Sequence, residues 1–255
     1  MSLKSAAIAW VAVFVLAYVG GMQLRPAATE ARVQQKAAGP GYVEALPSFG
    51  PENALVYVIE VVDFNCFYCA KRTGFLKRLA VEFDDVRFIE KHLPFLKEPG
   101  SENAAIATFA AQRQGKMWRY RDYLFTHQKE KWSDDKFVEY AKALNMDSEQ
   151  FRKDLHNPTL KRHVRLDKAA AQALSIRATP TLFINGRLVP LTARANEIRR
   201  MIQESKNEVR ALIAKGKAKT IPEARSMAAA KHHPAGKLFS KYYMDNDVRN
   251  LLAEN

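Results

Sequence analysis

The sequence predicts an α/β sandwich, because strand and helix patterns alternate along the chain. Residues 55–62 are rich in β-branched and aromatic side chains, which predicts a buried strand, and the apolar spacing of residues 70–83 predicts a helix after it. Residues 86–91 repeat the strand pattern. Residues 179–190 predict a hairpin around an Asn-Gly turn, and residues 197–215 form an amphipathic helical pattern.

A long helical block separates the second predicted strand from the hairpin. Its boundaries follow from apolar spacing, from acidic or hydroxyl residues at helix starts and from a glycine at one helix end. The predicted helices cover residues 102–114, 117–127, 133–144, 147–155 and 159–174. The sandwich therefore carries a helical insertion, which we place at about residues 98–176.

Both cysteines of the chain, Cys66 and Cys69, lie at the predicted turn from the first strand into its helix. The first turn of a helix offers unpaired N–H groups and the positive end of the helix dipole. Both favour a thiolate over a thiol, and the thiolate is the nucleophile in disulfide exchange. The pattern thus predicts a reactive Cys66, with Cys69 one turn later as the thiol that resolves a mixed disulfide.

Cysteine usage argues against other roles for this pair. Two cysteines in 255 residues provide no framework of structural disulfides. A zinc site commonly has four ligands, and the sequence shows neither a second C-x-x-C nor a histidine pair at metal spacing, so we predict no metal and no cofactor. A metal carrier that uses both cysteines with His92 is kept as an alternative.

The composition is that of a globular protein with a basic surface. The formal net charge is +13 and 47% of the residues are hydrophobic. Such a charge attracts anionic surfaces, although a solvated basic surface is the simpler interpretation. No motif with aromatic residues among basic ones indicates nucleic-acid binding, so we predict no nucleic-acid partner.

The chain begins with a hydrophobic segment and a linker. Residues 6–22 carry no charge, and we assign residues 1–22 to a membrane anchor or signal segment. An uncleaved anchor is favoured because no small-x-small cleavage site follows; secretion after cleavage is the alternative. Residues 23–52, which contain glycine and proline, predict a linker, and residues 53–215 the folded domain. Residues 216–255 predict a basic extension, packed on the domain or resting on lipid headgroups or on a partner.

Three stretches give the chain a family resemblance. Residues 63–69 read Asp-Phe-Asn-Cys-Phe-Tyr-Cys, residues 178–186 read Ala-Thr-Pro-Thr-Leu-Phe-Ile-Asn-Gly, and residues 114–125 read Gln-Gly-Lys-Met-Trp-Arg-Tyr-Arg-Asp-Tyr-Leu-Phe. The last two are similar to Thr-Pro-Thr-Phe-Phe-Ile-Asn-Gly and Gln-Gly-Lys-Phe-Trp-Glu-Tyr-His-Asp-x-Leu-Phe of DsbA-like proteins. The chain resembles the DsbA-like branch of the thioredoxin superfamily over roughly residues 53–215.

The resemblance implies a thioredoxin-like fold, a central mixed sheet flanked by helices, and the activity of a thiol-disulfide oxidoreductase. It implies a cis Pro180 beside the cysteines, with the backbone of Thr179 offered to an extended substrate chain. Phe67 and Tyr68, between the cysteines, are expected to set the redox poise or contact substrate; packing is the alternative for Tyr68. They replace the histidine or proline of studied relatives, which leaves oxidation, isomerisation and reduction open.

The resemblance also implies a location and partners. It places the domain on the periplasmic side of a bacterial inner membrane, anchored by residues 6–22, although the basic residues flanking that segment do not by themselves favour this orientation. Expected partners are proteins with cysteines and a membrane redox partner. Thioredoxins keep a buried acid beneath the cysteine pair, and Glu60 is the candidate, although an outward-facing charge is the simpler expectation. A non-catalytic binding module in an envelope assembly is the alternative function.

Overall fold

A five-stranded mixed sheet forms the centre of the computed structural model, which describes residues 47–94 and 100–245. The strands are β1 (Ser48–Phe49), β2 (Tyr57–Val62), β3 (Arg87–His92), β4 (Thr181–Ile184) and β5 (Arg187–Val189). Their order in the sheet is β1-β3-β2-β4-β5. Strands β2 and β3 run parallel, and β1, β4 and β5 pair antiparallel to their neighbours.

Helices occupy the connections that the sequence predicts. They are α1 (Phe67–Glu82), α2 (Ser101–Arg113), α3 (Met117–Thr126), α4 (Asp134–Ala143), α5 (Ser148–Leu155), α6 (Pro158–Ala173), α7 (Ala195–Ala214) and α8 (Ile221–His232). A helical turn Lys237–Phe239 continues as a π-helical turn Ser240–Met244. Helices α2 to α6 form the predicted insertion. The α/β architecture and the helical insertion are therefore confirmed.

Both faces of the central strand β2 are covered. Because side chains alternate along a strand, Ile59 and Val61 face one side, where they pack with α6 and the C-terminal extension. Val58 faces the other side and packs with α1 and α7, and Val62 on that side joins the core of the insertion. Every residue of β2 is consequently buried.

The structure corrects the predicted boundary between linker and domain. Ser48 and Phe49, assigned to the linker, form β1 and pair with Phe88 and Ile89 of β3. The backbone N–H of Glu90 also donates to the carbonyl of Pro47. A strand of two residues is too short to show alternation, so only its pairing with β3 identifies it.

The C-terminal extension packs on the domain over the residues that the structure describes. Phe239 and Tyr243 are fully buried against the sheet. Arg225 lies over the ring of Tyr57, 3.6 Å from its centroid, and donates to the carbonyl of Ala54. Residues 216–245 therefore pack on the domain, as the first interpretation of this segment expects.

Candidate functional site

The two cysteines lie at the turn from β2 into α1, as predicted. Cys66 is the residue that precedes the first helical turn, and its backbone is extended. Its carbonyl accepts hydrogen bonds from the N–H groups of Cys69 and Ala70. Both thiols are free, Cys66 being 6% exposed and Cys69 fully buried. The sulfur of Cys66 therefore lies near the surface, whereas the sulfur of Cys69 is inaccessible to solvent.

A hydrogen-bonded loop fixes the approach to Cys66. The buried Asp63 carboxylate accepts from the N–H of Asn65 and from the hydroxyl of Ser101, the first residue of α2. The Cys66 N–H donates to the Asp63 carbonyl. The Gln128 side chain donates to the carbonyl of Phe64, 2.6 Å away. The insertion thus holds the loop that carries the reactive cysteine.

The surroundings of Cys66 favour its thiolate. A hydrogen bond from the Cys69 thiol, together with the backbone N–H groups of Cys69 and Tyr68, lowers its pKa to about 6, against the opposing effect of burial. These groups stabilise negative charge at the start of a helix. At neutral pH, the thiolate form of Cys66 is consequently favoured.

Cys69 has the opposite chemistry. Burial, its hydrogen bond to Cys66 and the nearby Glu60 carboxylate raise the pKa of Cys69 well above its usual range. Cys69 therefore keeps its proton until a base removes it. This difference matches the attacking and resolving roles predicted from the sequence.

The Thr179–Pro180 peptide bond is cis, as the resemblance implied. Antiparallel pairing of β4 with β2 brings this segment to the cysteines, with Thr181 opposite Val61. The Cys66 sulfur lies 3.3 Å from the carbonyl oxygen of Thr179. Pro180 is buried and Thr179 half-buried. Thr179 and Cys66, 113 residues apart in sequence, thus meet in one site.

Phe67 and Tyr68 project from the site into solvent. Their side chains are 54% and 68% exposed, and their rings meet edge to face. The Lys71 ammonium lies 4.4 Å from the centroid of the Phe67 ring. Core packing, which was one interpretation of Tyr68, is therefore wrong. The backbone N–H of Tyr68, rather than its ring, donates to the Cys66 sulfur and helps to lower the pKa of that thiol.

Glu60 points into the protein, which corrects the expectation of an outward-facing charge. It is 4% exposed, because β2 is a central strand with both faces covered. Its Oε2 atom accepts a hydrogen bond from Arg121 of α3 at 2.7 Å. Burial, countered by Arg121 and reinforced by Glu90, raises the pKa of Glu60 to about 7. Glu60 is thus a buried acid that titrates near neutral pH.

Sequence reasoning missed Arg121 and Glu90 as members of the site. Arg121 donates from Nε to Glu90 and from Nη2 to Glu60. The available signal was a charge on an apolar stripe, because Arg121 lies four residues from both Met117 and Phe125, which are buried. A charge on such a stripe needs a buried partner, but the sequence did not identify the strand that supplies it.

The metal alternative gains no support from the arrangement of side chains. Within the described residues, no group of three His, Cys, Asp or Glu side chains is placed to hold a metal ion. His92, the proposed third ligand, has its Nε2 atom 3.2 Å from Glu90 and 3.4 Å from the hydroxyl of Thr108. It belongs to the buried polar cluster around Glu90.

Comparisons with known proteins agree with the fold. The model of the thioredoxin family matches residues 44–204. The crystal structure of a thioredoxin-like oxidoreductase from Silicibacter pomeroyi is 26% identical, with a TM-score of 0.56, over 64% of this chain and 92% of that one. The thiol-disulfide exchange protein α-DsbA2 from Wolbachia pipientis is 20% identical, with a TM-score of 0.57, over 71% of this chain and 97% of that one.

Among curated proteins, the chain is similar to part of a transporter. It is 36% identical to the Na⁺/H⁺ antiporter NhaA of Herminiimonas arsenicoxydans over 162 residues. The match covers 63% of this chain but 26% of the antiporter, so the chain spans about a quarter of the length of that relative. Because the family model covers more than half of the sequence, the chain belongs to the thioredoxin family, and its fold is that of DsbA-like thiol-disulfide oxidoreductases.

Proposed function

We propose that the chain exchanges disulfides with cysteine-containing proteins through Cys66 and Cys69. The observation that carries this proposal is the contrast between the two thiols. Cys66 has a lowered pKa and touches the Thr179 carbonyl, whereas Cys69 is buried and keeps its proton. A pair of this kind separates attack from resolution. A purely structural pair has no need of this contrast.

In the first step, the Cys66 thiolate attacks one sulfur of a substrate disulfide. The substrate S–S bond breaks, a mixed disulfide forms at Cys66, and the other substrate sulfur leaves as a thiolate that takes a proton from water. Backbone N–H groups at the start of α1 stabilise the attacking charge. The reverse sequence oxidises a substrate dithiol.

In the second step, Cys69 resolves the mixed disulfide. Its proton passes to the buried Glu60 carboxylate, whose charge already acts on the Cys69 thiol. The Cys69 thiolate attacks the Cys66 sulfur, the intramolecular disulfide forms, and the second substrate thiolate leaves. Two electrons pass from the cysteine pair to the substrate, and Glu60 later returns its proton to solvent.

Substrate recognition is assigned to the surface around Cys66. The backbone beside the cis bond, at Thr179, offers hydrogen bonds to an extended chain whatever its sequence. The exposed rings of Phe67 and Tyr68 provide apolar contact next to the sulfur. Together these features suit unfolded or flexible protein segments that carry cysteines.

We place this activity in the bacterial cell envelope, on the periplasmic side of the inner membrane and served by a membrane redox partner. The resemblance to DsbA-like proteins supports this location. The predicted anchor, residues 6–22, lies outside the described residues. Between residues 47 and 245, apart from 95–99, no helix is long and apolar enough to cross a membrane.

The equilibrium of the purified protein with glutathione tests the proposal. The pKa of Cys66, about 6, lies between the values of about 7 for thioredoxin and about 3.5 for DsbA. We therefore expect a reduction potential between those of the same two proteins, about −270 and about −120 mV. A value near either limit assigns the reducing or the oxidising direction.

Single-cysteine variants decide between catalysis and the alternative, a binding module. Cys66→Ser is expected to abolish exchange with a protein disulfide, and Cys69→Ser to trap mixed disulfides at Cys66. Unchanged exchange by Cys66→Ser, or a wild-type protein that forms no disulfide with glutathione, would contradict the enzymatic proposal. Binding of partners that is unaffected by both variants would then favour the binding module.

A further inference from the structure

Two glutamates, Glu60 and Glu90, lie side by side in the sheet, and Glu60 acts on the thiol of Cys69. Glu60 of β2 and Glu90 of β3 are register partners on adjacent parallel strands, so their side chains leave the sheet on the same face. They are 4% and 1% exposed. Like charges placed opposite each other in a buried sheet destabilise it unless a cation compensates them or one carboxylate takes up a proton.

Arg121 supplies that cation from the helical insertion. Its guanidinium, 4% exposed, donates from Nη2 to Glu60 and from Nε to Glu90. Its Nη1 atom donates to the hydroxyl of Thr73 at 3.2 Å, and that hydroxyl donates to the carbonyl of Cys69 at 3.2 Å. One side chain thus connects both carboxylates to the helix that carries the resolving cysteine.

The two carboxylates share Arg121 unequally. Glu90 also lies 3.2 Å from His92 Nε2, and these two partners lower its pKa despite burial. The Oε2 atom of Glu60 accepts a hydrogen bond from Arg121. Its Oε1 atom is buried and has no hydrogen-bond partner in the described part of the chain. Glu90 therefore holds the negative charge, and Glu60 is left with an acceptor atom that is not engaged.

We propose that Arg121 is the positioning residue that keeps Glu60 able to accept the proton of Cys69. This inference rests on the proposed function, because it concerns the resolving step of the same cysteine pair. Arg121 holds the Glu60 carboxylate by one oxygen and compensates part of the repulsion from Glu90. The insertion therefore contributes to the chemistry of the site as well as to its shape.

The direction of the effect follows from the charges. The positive charge of Arg121 lowers the pKa of Glu60, and burial and Glu90 raise it. Without Arg121, Glu60 stays protonated to higher pH, so that a smaller fraction of Glu60 can take the Cys69 proton at neutral pH. Among the described residues, the charged groups that act on Glu60 are Arg121 of α3, Glu90 of β3 and Arg72 of α1, and Glu60 acts in turn on the Cys69 thiol of α1. One contact further away, His92 faces Glu90, Asp122 faces Arg121, and Lys77 faces Asp122.

A coloured aromatic disulfide, dithiobis-nitrobenzoate, separates the two steps in one stopped-flow experiment with the reduced full-length protein. Attack by Cys66 releases the first nitrothiobenzoate, and resolution by Cys69 releases the second. For Arg121→Met we expect an unchanged first phase and a second phase whose pH midpoint rises by at least about one unit. Because the wild-type midpoint lies near 7, the first unit corresponds to a roughly fivefold slower second phase at pH 7, and each further unit to about tenfold.

Companion variants separate a chemical role from a structural one. Arg121→Lys keeps one charge but lacks the fork that reaches both carboxylates, so its midpoint should fall between those of the wild type and Arg121→Met. Glu90→Gln removes the repulsion and should lower the midpoint, a shift of opposite sign. In a Glu60→Gln background, Arg121→Met should cause no further pH shift. Arg119→Met, an exposed site on the same helix, is the matched control.

The outcomes keep the two proposals apart. Absence of the first phase in the wild type would overturn the proposed function itself. A normal first phase with the second-phase midpoint unmoved by both Arg121→Lys and Glu90→Gln would overturn the role of Arg121 alone. If Arg121→Met fails to fold by circular dichroism, these two variants decide the matter. The inference would also be contradicted if Arg121→Met shifted the second-phase pH midpoint by the same amount in the Glu60→Gln background as in the wild type.

Discussion

Cys66 and Cys69 show how position divides the roles of two identical side chains. They are three residues apart, yet the pKa of Cys66 is lowered to about 6 and that of Cys69 is raised. Cys66 precedes the first helical turn, where N–H groups are free, whereas Cys69 lies within α1 among apolar side chains. Burial of Cys69 removes the hydration that a thiolate needs, so the negative charge of the pair is more stable on Cys66.

The pH dependence of alkylation tests this division. Because the thiolate is the reactive form and the pKa of Cys66 is lowered, the rate of iodoacetamide alkylation should rise to half its plateau near pH 6. In Cys69→Ala, which lacks the thiol that donates to Cys66, the midpoint should move upward. A wild-type midpoint near the ordinary thiol value of about 8.5 would contradict the assignment.

At the scale of elements, the β4–β5 hairpin connects the site to the rest of the fold. The side chain of Asn185 accepts from the N–H of Tyr57 and donates to the carbonyl of Leu55, so the hairpin is tied to the start of β2. Gly186 has a positive φ of 78°, and a Cβ atom there would lie 2.7 Å from the carbonyl oxygen of Ala229 in α8. The Asn-Gly pair thus serves both the turn and the docking of the extension.

Gly186→Ala tests this close approach. The free energy of unfolding of this variant should fall by about 1–2 kcal/mol, because alanine is strained in the left-handed backbone conformation of Gly186. It should fall by a further ~1–3 kcal/mol because the new Cβ atom clashes with α8. Gly216→Ala is the matched control, because Gly216 also has positive φ but a Cβ there meets no atom within 4 Å. Urea unfolding measures the free energy of unfolding of both variants. An equal decrease in the two variants would contradict the prediction, because it would show that α8 shifts to accommodate the methyl group without loss of stability.

At the scale of the whole molecule, the insertion and the C-terminal extension together bury both faces of the sheet. The insertion covers the face that holds Val62, and its last helix, α6, shares the face that holds Ile59 with Phe239 of the extension. Strand β2 is consequently buried on both faces, which is why Glu60 and the cysteines share an environment that excludes water. The extension is therefore part of the folded unit.

Phe239→Ala measures what the extension contributes to stability. Phe239 is fully buried among aromatic rings, including Phe183 and His233, so its truncation should cost about 3–5 kcal/mol. Its neighbour Leu238 is 44% exposed, and Leu238→Ala should cost less than about 1 kcal/mol. A loss below about 1 kcal/mol for Phe239→Ala in urea unfolding would show that the extension folds apart from the domain.

Local patterns in the sequence sufficed for most of the architecture. Apolar spacing and helix-end signals located α1 to α7, β-branched and aromatic residues located β2 and β3, and the Asn-Gly turn located the short hairpin strands β4 and β5. The helix after the cysteines begins at Phe67 rather than Ala70, since Phe67 and Tyr68 are apolar but exposed and do not belong to the apolar repeat of the helix. The two-residue β1 carries no pattern, and its pairing with β3 depends on contacts across the sheet.

The sequence by itself determined the cysteine pair and its place at the start of a helix, because both depend on neighbours within a few residues. Tertiary structure decided the environment of that pair. Only the packing of α3 against β2 and β3 brings Arg121 between Glu60 and Glu90, across 61 and 31 residues of sequence. Burial and charge depend on all elements that surround an atom, and short-range sequence patterns do not specify which distant elements those are.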